Sequence, residues 1–209
     1  MKTLIAIPCG DQCPTDFLRA LLSLEIVGLA QFTFAQGSLV YDARNKLTEI
    51  ALEGDFDRVL WLDSDMSFLP DMMKRFSADL DEGREMVCGL YVTRKAPIKP
   101  TIYSHLGLHK NLGEKFATPE IEVMEKYPKD QIFEVVGCGF GGVMMTTDLL
   151  RRVADGYGAV FSPATGFGED LSFCLRVRDM GEKIWCDPRI RMGHIGVGVY
   201  FPEEWENLK

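Results

Sequence analysis

Apolar residues along this chain fall into short runs that alternate with stretches of helical spacing. In the first half, the apolar runs lie at 3–8, 31–35 and 59–62, and the helical stretches at 14–27, 41–52 and 70–80. Short, nearly continuous apolar runs are typical of strands that are buried on both faces of a parallel sheet. The alternation therefore predicts an α/β fold with a mostly parallel central sheet flanked by helices.

Capping residues mark where the first three helices are expected to begin. Thr15 or Asp16 is placed to cap the first helix and Asp42 to cap the second, because short polar side chains accept hydrogen bonds from free N–H groups. Pro70 suits the first position of the third helix, where the N–H that it lacks is not needed.

The second half of the chain has a less regular pattern. Strands are predicted at 86–91, 101–103, 131–136, 143–146 and 183–186, and helices at 148–154 and 169–180. Gly181 is expected at the C′ position of the last helix. Residues 104–130 are polar and contain two of the three histidines, and they are predicted to form a long surface loop. Arg94 and Lys95 lie in a basic loop and are expected to face solvent.

The sequence RVLWLDSDM at 58–66 carries the first candidate chemistry. Its apolar run ends in Asp63 and Asp65, which are two residues apart and so point to the same side of an extended chain. They are expected at the carboxyl edge of the sheet, where open α/β sheets bind ligands. Two neighbouring carboxylates repel each other unless a cation lies between them. Spacing alone leaves open a divalent metal site and a polar turn in which Asp65 caps the next helix.

Composition narrows the class of protein. The 209 residues suffice for one domain with a substantial core. Their 23 basic and 31 acidic residues give a net charge of −8, which disfavours a broad nucleic-acid surface. The six cysteines form no CxxC pair and are expected to be reduced, buried thiols. The N-terminus lacks a cleavage-site pattern and no apolar run reaches membrane-spanning length, so a soluble cytoplasmic protein is expected.

Two further positions are candidates for site residues. Glu169 and Asp170 are expected at a helix N-terminus, where an acid either caps the helix or, brought near a ligand by the glycine-rich loop before it, acts as a general base. His194 lies between Gly193 and Gly196, and it is either an ordinary surface or core histidine or a ligand. An imidazole combined with carboxylates forms a mixed nitrogen and oxygen site that suits Mn²⁺ or Mg²⁺.

Arg44 is expected in the first turn of its helix, where it either faces a phosphate or is solvated. The sequence GCGFGG at 137–142 matches a dinucleotide fingerprint in its letters, but apolar, β-like residues follow it instead of a helix. It is interpreted as a close approach of backbone to a substrate or as a bend between strands.

These motifs in combination resemble the GT-A-fold glycosyltransferases, in particular the small family-2-like enzymes of bacteria and phages. The resemblance rests on TLIAIP, ARN, VLWLDSDM, GCGFGG, FGEDLSFCLRVRDMG and GHIG, and covers residues 3 to about 196. It implies a single GT-A domain over 1–209, with a nucleotide-binding half at 1–100 and an acceptor-side half at 101–209. It also implies metal-dependent transfer of a sugar from a nucleoside-diphosphate sugar, with UDP favoured and Mn²⁺ or Mg²⁺ as the cation.

The resemblance also assigns roles to residues. Asp63, Ser64 and Asp65 match the DxD motif at the nucleotide and metal, and His194 matches a late histidine that completes the metal site with Asp63 and Asp65. Pro8 matches the base-binding edge and Arg44 a basic position near the nucleotide. Glu169 and Asp170 match the family's catalytic acidic pair, in which the Asp is the base of inverting members.

Several alternatives stay open. LDSDMS also fits the motif of haloacid-dehalogenase-like phosphotransferases, with Asp63 and Asp65 as the reacting pair, although that class carries the motif on its first strand. A noncatalytic protein that binds sugar nucleotides is a third hypothesis. The acceptor hydroxyl could belong to a glycan, a protein, a lipid head group or a modified DNA base.

Overall fold

The computed structural model describes residues 1–110, 117–164 and 166–207. Its strands are β1 (Lys2–Cys9), β2 (Leu29–Gln36), β3 (Arg58–Leu62), β4 (Met66–Phe68), β5 (Met86–Leu90), β6 (Ile102–His109), β7 (Thr118–Val123), β8 (Phe133–Val135), β9 (Gly137–Cys138), β10 (Gly142–Thr146), β11 (Ile184–Ile195) and β12 (Val199–Tyr200). Its helices are α1 (Thr15–Ser23), α2 (Val40–Glu53), α3 (Met72–Asp81), α4 (Thr147–Tyr157), α5 (Glu169–Asp179) and α6 (Pro202–Glu206).

The central sheet has the strand order β12-β11-β5-β10-β3-β1-β2. Strand β1 is parallel to β2 and β3, and β11 is parallel to β5. Strand β10 lies antiparallel between β3 and β5, so these two strands run in the same direction. Strands β6, β7 and β9 form a smaller sheet. The predicted fold class, a mostly parallel α/β sheet flanked by helices, is therefore confirmed.

Two apolar layers cover the sheet, one on each face. In β3, Val59 and Trp61 pack with residues of α2, α4 and α5, whereas Leu60 and Leu62 pack with residues of α1 and α3. Successive side chains of a strand point to opposite faces, so a strand covered on both sides must be apolar at every position. This arrangement explains the continuous apolar runs of the sequence.

The predicted loop at 104–130 is wrong in two segments. Strand β6 extends to His109 and pairs antiparallel with β7, while residues 111–116 lie outside the described part of the chain. Most residues of both strands are partly or fully exposed, so their sequences lack the apolar alternation that identifies a half-buried strand.

The strand predicted at 183–186 is also longer than expected, since β11 continues from Ile184 to Ile195 with a register shift between Asp187 and Arg191. Pro188 and the charged residues that follow it interrupt the apolar pattern. This extension places His194 in a strand, where it pairs with Met66 of β4 and Tyr200 of β12.

Helix boundaries were predicted less accurately than the helices themselves. The predicted caps Thr15, Asp16 and Asp42 lie inside their helices, since the N-cap residues are Pro14 for α1 and Leu39 for α2. Pro70 precedes α3, whose N-cap is Asp71. The first helix ends at Ser23, earlier than predicted. Gly181 follows α5 with a φ of +82°, as expected for a C′ glycine.

Candidate active site

The candidate site residues meet at the carboxyl edge of the sheet. Strands β1, β3, β5 and β11 all end there, because they run in the same direction. A cleft of about 290 Å³ at this edge is lined by Pro8, Asp63, Ser64 and Asp65, together with residues of the loops that follow β1 and β2. The sequence argument that placed Asp63 and Asp65 beyond a buried strand thus agrees with the structure.

Asp65 and His194 lie next to each other at this edge. His194 Nε2 is 3.5 Å from Asp65 Oδ2. The other ring nitrogen, Nδ1, is 3.0 Å from the carbonyl oxygen of Val92. A carbonyl can only accept, so Nδ1 carries a proton, and Nε2 is the ring atom that faces the carboxylate. Two acceptors that face each other in this way require a proton or a cation between them.

Arg94 supplies a positive charge to the same carboxylate. Its Nη1 donates to Asp65 Oδ2 and, over 3.2 Å, to the carbonyl oxygen of Ile195. The N–H of Ile195 in turn donates to the backbone oxygen of Asp65 over 2.7 Å. Burial acts to raise the pKa of Asp65, but hydrogen bonding to His194 and the charges of His194 and Arg94 outweigh it and lower the pKa. Asp65 is therefore held ionised.

Asp63 has a different partner, the buried guanidinium of Arg44. Arg44 Nη2 donates to Asp63 Oδ1 over 2.7 Å, and Arg44 Nε lies 3.4 Å from Glu169 Oε1. Arg44 is 2% exposed and its guanidinium contacts the rings of Trp61, Phe140 and Phe161. Arg44 is thus not a solvated side chain, because it forms a buried ion pair that links α2 to Asp63 and to α5. Its expected place near the nucleotide stays a prediction.

The environment of Asp63 raises its pKa. Burial is the main cause, the nearby charges of Asp65 and Asp170 add to it, and the attraction of Arg44 opposes it, giving a pKa of about 6. Since the pKa of the neighbouring Asp65 is lowered, the two carboxylates of the DxD motif differ in protonation behaviour. Asp65 is the stronger candidate for binding a cation at neutral pH.

Asp170 lies in the first turn of α5, as predicted. Its Oδ1 accepts a hydrogen bond of 2.7 Å from the N–H of Leu171. Burial and the neighbouring charge of Glu169 raise its pKa, although the Leu171 N–H and the charge of Arg44 oppose the rise. A buried carboxyl with a raised pKa is a better proton acceptor near neutral pH than an ordinary aspartate.

A second cleft, of about 440 Å³, has Asp170 and His194 in its lining. Tyr91, Arg94, Tyr103 and Gly139 also line it. Because Asp65 in the first cleft contacts Arg94 and His194 in the second, the two clefts meet at this carboxylate.

The glycine cluster contributes Gly139 to the lining of the second cleft. Gly137 belongs to the smaller sheet and Gly142 to the central one, so the cluster is a bend between strands, one of the two roles expected for it. A Cβ at Gly139 would lie 2.1 Å from Tyr91 Oη, and the N–H of Gly141 donates to the same oxygen over 3.1 Å. Glycine is needed here because the backbone packs directly against the tyrosine.

Asp65 and His194 fit part of a divalent metal site. Among the described residues, no group of three or more His, Cys, Asp or Glu side chains could hold a metal ion. Cations bound to phosphates commonly take one or two protein ligands and complete their shell with phosphate oxygens and water. One oxygen and one nitrogen donor, oriented by Val92 and by the β4–β11 pairing, match a cation that binds together with a diphosphate.

Sequence reasoning missed Arg94 and Tyr91. Arg94 was expected to face solvent, whereas it pairs with Asp65, 29 positions away in the chain. Asp63 was identified because it follows the carboxyl end of a strand. Arg94 also follows the carboxyl end of a strand, β5, so the same argument could have identified it. Of the glycine-rich loop expected before Glu169, Thr165 lies outside the described residues, and Phe167 is buried in the core. All six cysteines are free, four of them buried and Cys9 and Cys13 partly exposed.

Within the described residues, every helix is too short or too polar to cross a lipid bilayer.

No protein-family model and no curated protein matches the sequence. Solved structures do resemble it. A197 from STIV aligns with a TM-score of 0.64 at 20% identity, over 94% of this chain and 86% of that one. GalNAc-T7, solved with UDP, GalNAc and Mn²⁺, aligns with a TM-score of 0.61 at 11% identity, over 94% of this chain and 44% of that one. TarS 1-349 of S. aureus aligns with a TM-score of 0.56 at 12% identity, over 96% of this chain and 60% of that one. This chain therefore spans less than two thirds of GalNAc-T7 and TarS, and at these identities the likeness establishes the fold, which is the GT-A fold.

Proposed function

We propose that this protein is a metal-dependent glycosyltransferase that moves a sugar from a nucleoside-diphosphate sugar to a hydroxyl acceptor. The observation that carries the proposal is the arrangement of Asp65, His194 and Asp170 on a GT-A fold. The first two offer donors for a cation, and the third is a buried carboxyl in the same cleft as His194. GalNAc-T7, whose structure contains UDP and Mn²⁺, makes UDP the preferred nucleotide to test.

The donor occupies the cleft between the ends of β1 and β3. Pro8 and Ser64 line it beside the nucleotide, and Asp63 faces the ribose or cation-bound water with the oxygen that Arg44 does not hold. Asp65 and His194 would hold the cation together with Asp63, the third predicted ligand. When bound, a divalent cation neutralises the charge that develops on the departing diphosphate. Arg44 acts through Asp63 and Glu169, because aromatic rings and these two acids surround it.

Asp170 is the general base for the acceptor. The acceptor hydroxyl gives its proton to a carboxylate oxygen of Asp170, its oxygen forms a bond to the anomeric carbon, and the bond from that carbon to the diphosphate breaks. Oδ1 is already held by the Leu171 N–H, which fixes the carboxyl and leaves Oδ2 to receive the proton. This role corresponds to transfer with inversion. Residues 1–100 then form the nucleotide-binding half and residues 101–209 the acceptor-side half.

Ligand-induced stabilisation tests the proposal. We expect Mn²⁺ and UDP together to raise the melting temperature more than either alone, since ligands that bind only the folded state stabilise it. Asp65→Asn should abolish this shift. Asp55→Asn is the matched control, because Asp55 is an exposed acid just before the opposite end of the same strand, β3.

Other outcomes would identify other functions. No metal-dependent shift with UDP, GDP or another nucleotide would contradict the proposal. Binding of donor with neither hydrolysis nor transfer across broad acceptor screens would favour a noncatalytic sugar-nucleotide-binding protein. Phosphatase activity on an aryl phosphate that is lost in Asp63→Asn would favour the phosphotransferase alternative.

A further inference from the structure

We propose that Arg94 is a built-in counter-ion that occupies the cation position on Asp65 and exchanges that position for the diphosphate of the donor. The proposal rests on the glycosyltransferase function above. In the absence of nucleotide, Arg94 competes with the cation for Asp65, so the cation binds weakly alone. The nucleotide draws Arg94 away from Asp65 and so strengthens cation binding.

The competition follows from a single oxygen atom. Arg94 Nη1 donates to Asp65 Oδ2, and His194 Nε2 faces the same Oδ2 at 3.5 Å. A cation shared by Asp65 and His194 has to lie beside this oxygen. A guanidinium and a divalent cation repel each other at such close range, so the two cannot occupy the position together.

Asp65 and His194 are each held by a hydrogen bond with the backbone of a neighbouring segment, whereas the Arg94 side chain reaches Asp65 from a partly exposed position. The backbone oxygen of Asp65 accepts from the Ile195 N–H over 2.7 Å, and His194 Nδ1 is held by the carbonyl of Val92. The Arg94 side chain is 44% exposed. Among the described residues, both of its hydrogen bonds come from Nη1, so Nε and Nη2 remain available to another partner.

The chemistry of arginine determines that partner. A guanidinium presents a planar set of donors that matches phosphate oxygens in a two-point contact. A diphosphate bound between the two clefts would attract both the incoming cation and Arg94. Transfer of Arg94 from Asp65 to the diphosphate keeps its charge paired and frees Oδ2 for the cation.

This exchange predicts effects of opposite sign in one variant. In Arg94→Gln, Mn²⁺ should bind roughly three- to fivefold more tightly in the absence of nucleotide, because a half-exposed ion pair contributes no more than this to the competition. UDP in the presence of saturating Mn²⁺ should bind more weakly by a similar factor. Lys95→Gln is the matched control: Lys95 is an exposed cation of the same loop that lines the same cleft, so both affinities should stay within about twofold of wild type.

Calorimetric titration of the full chain with Mn²⁺, with and without UDP, measures these constants directly. Arg94→Lys serves as a second variant that keeps the charge, and it should show a smaller gain in Mn²⁺ affinity than Arg94→Gln. Unchanged or weaker Mn²⁺ binding in Arg94→Gln, while the wild type binds both ligands, would overturn the counter-ion role alone. A wild-type protein that binds neither ligand would instead overturn the proposed function.

Discussion

Arg44 provides the sharpest test of how the site is stabilised. We consider Arg44→Met, which keeps an unbranched side chain against Trp61, Phe140 and Phe161 but removes the charge. Asp63, whose Oδ1 is 2.7 Å from Arg44, then loses its buried counter-charge. The expected result is a protein that folds but is less stable, by an amount that depends on pH.

The pH dependence follows from the pKa of Asp63. In the folded wild type this pKa is about 6, above the ordinary 3.8, mainly because the carboxyl is buried. The folded state therefore binds more protons than the unfolded state between these values, and stability falls as pH rises through them, by about 3 kcal/mol at most. The charge and hydrogen bond of Arg44 lower this pKa. Without Arg44 the pKa rises further and the loss of stability extends to higher pH.

The loss of stability in Arg44→Met should be larger at pH 8 than at pH 5. At pH 8, where Asp63 is ionised in the wild type, loss of the buried partner should lower the free energy of unfolding by about 2 to 4 kcal/mol, less than for a wholly buried charge because the Asp63 side chain is 29% exposed. At pH 5 Asp63 is largely protonated, and the loss should shrink to about 1 to 2 kcal/mol, the cost of a changed side-chain shape. Removal of Arg44 Nη1 offsets part of the loss at pH 5. This nitrogen is a buried donor without a partner in the described part of the chain, and methionine eliminates it.

Urea unfolding followed by circular dichroism at the two pH values measures these differences. Arg58→Met is the control, because Arg58 is also buried but its partner Asp81 is 60% exposed. The freed Asp81 carboxylate is solvated, so this variant should lose the same stability at both pH values. Adding Asp63→Asn to Arg44→Met should restore stability at pH 8. An equal loss for Arg44→Met at pH 5 and pH 8, with no restoration by the second change, would refute the reasoning.

Three further predictions concern other side chains of the site. Asp170→Asn should retain Mn²⁺ and UDP binding but lower turnover, measured as UDP release, by roughly a hundredfold or more. Because burial raises the pKa of Asp170, wild-type turnover should decline as the pH falls through a value higher than the pKa of an ordinary aspartate. His194→Gln should weaken Mn²⁺ binding in calorimetry by roughly tenfold or more, and an unchanged constant would exclude His194 as a ligand. Gly139→Ala should lower the urea midpoint, because its Cβ would meet Tyr91 Oη at 2.1 Å, and Tyr91→Phe in the same chain should recover part of the loss.

The central sheet and the position of the acidic motif were predictable because both depend on local sequence. Strand β3 is buried on both faces, so each of its central residues is apolar, and the first polar residue after it marks the edge of the sheet. Pro8, which the resemblance assigned to the base-binding edge, lies near the end of β1 and lines the same cleft. Glu169 and Asp170 were located by the general preference for acids at helix N-termini, which α5 follows.

The contacts within the site were not predictable in the same way. Arg44 has the local sequence of an ordinary helical arginine, and its burial comes from Phe140 and Phe161, roughly a hundred residues later in the chain. The strand that carries His194 was missed because Pro188 and charged residues interrupt its pattern. Helix caps were misplaced because α1 and α2 begin after Pro14 and Leu39 without a side-chain capping hydrogen bond, so no short polar residue marks their start.

The balance of charge at the sheet edge explains why the donor would need a cation. Asp63, Asp65, Glu169 and Asp170 form one connected group in which Arg44 and Arg94 are the paired guanidinium groups. A nucleoside diphosphate adds further negative charge next to carboxylates that already outnumber these arginines. Arg44 is enclosed by aromatic rings and cannot move to the phosphates, and Arg94 reaches them only by leaving Asp65 uncompensated. A divalent cation held by Asp65 and His194 would compensate both charges at once. Replacing Arg94 by Gln should therefore lower nucleotide affinity in the absence of metal, while it raises metal affinity in the absence of nucleotide.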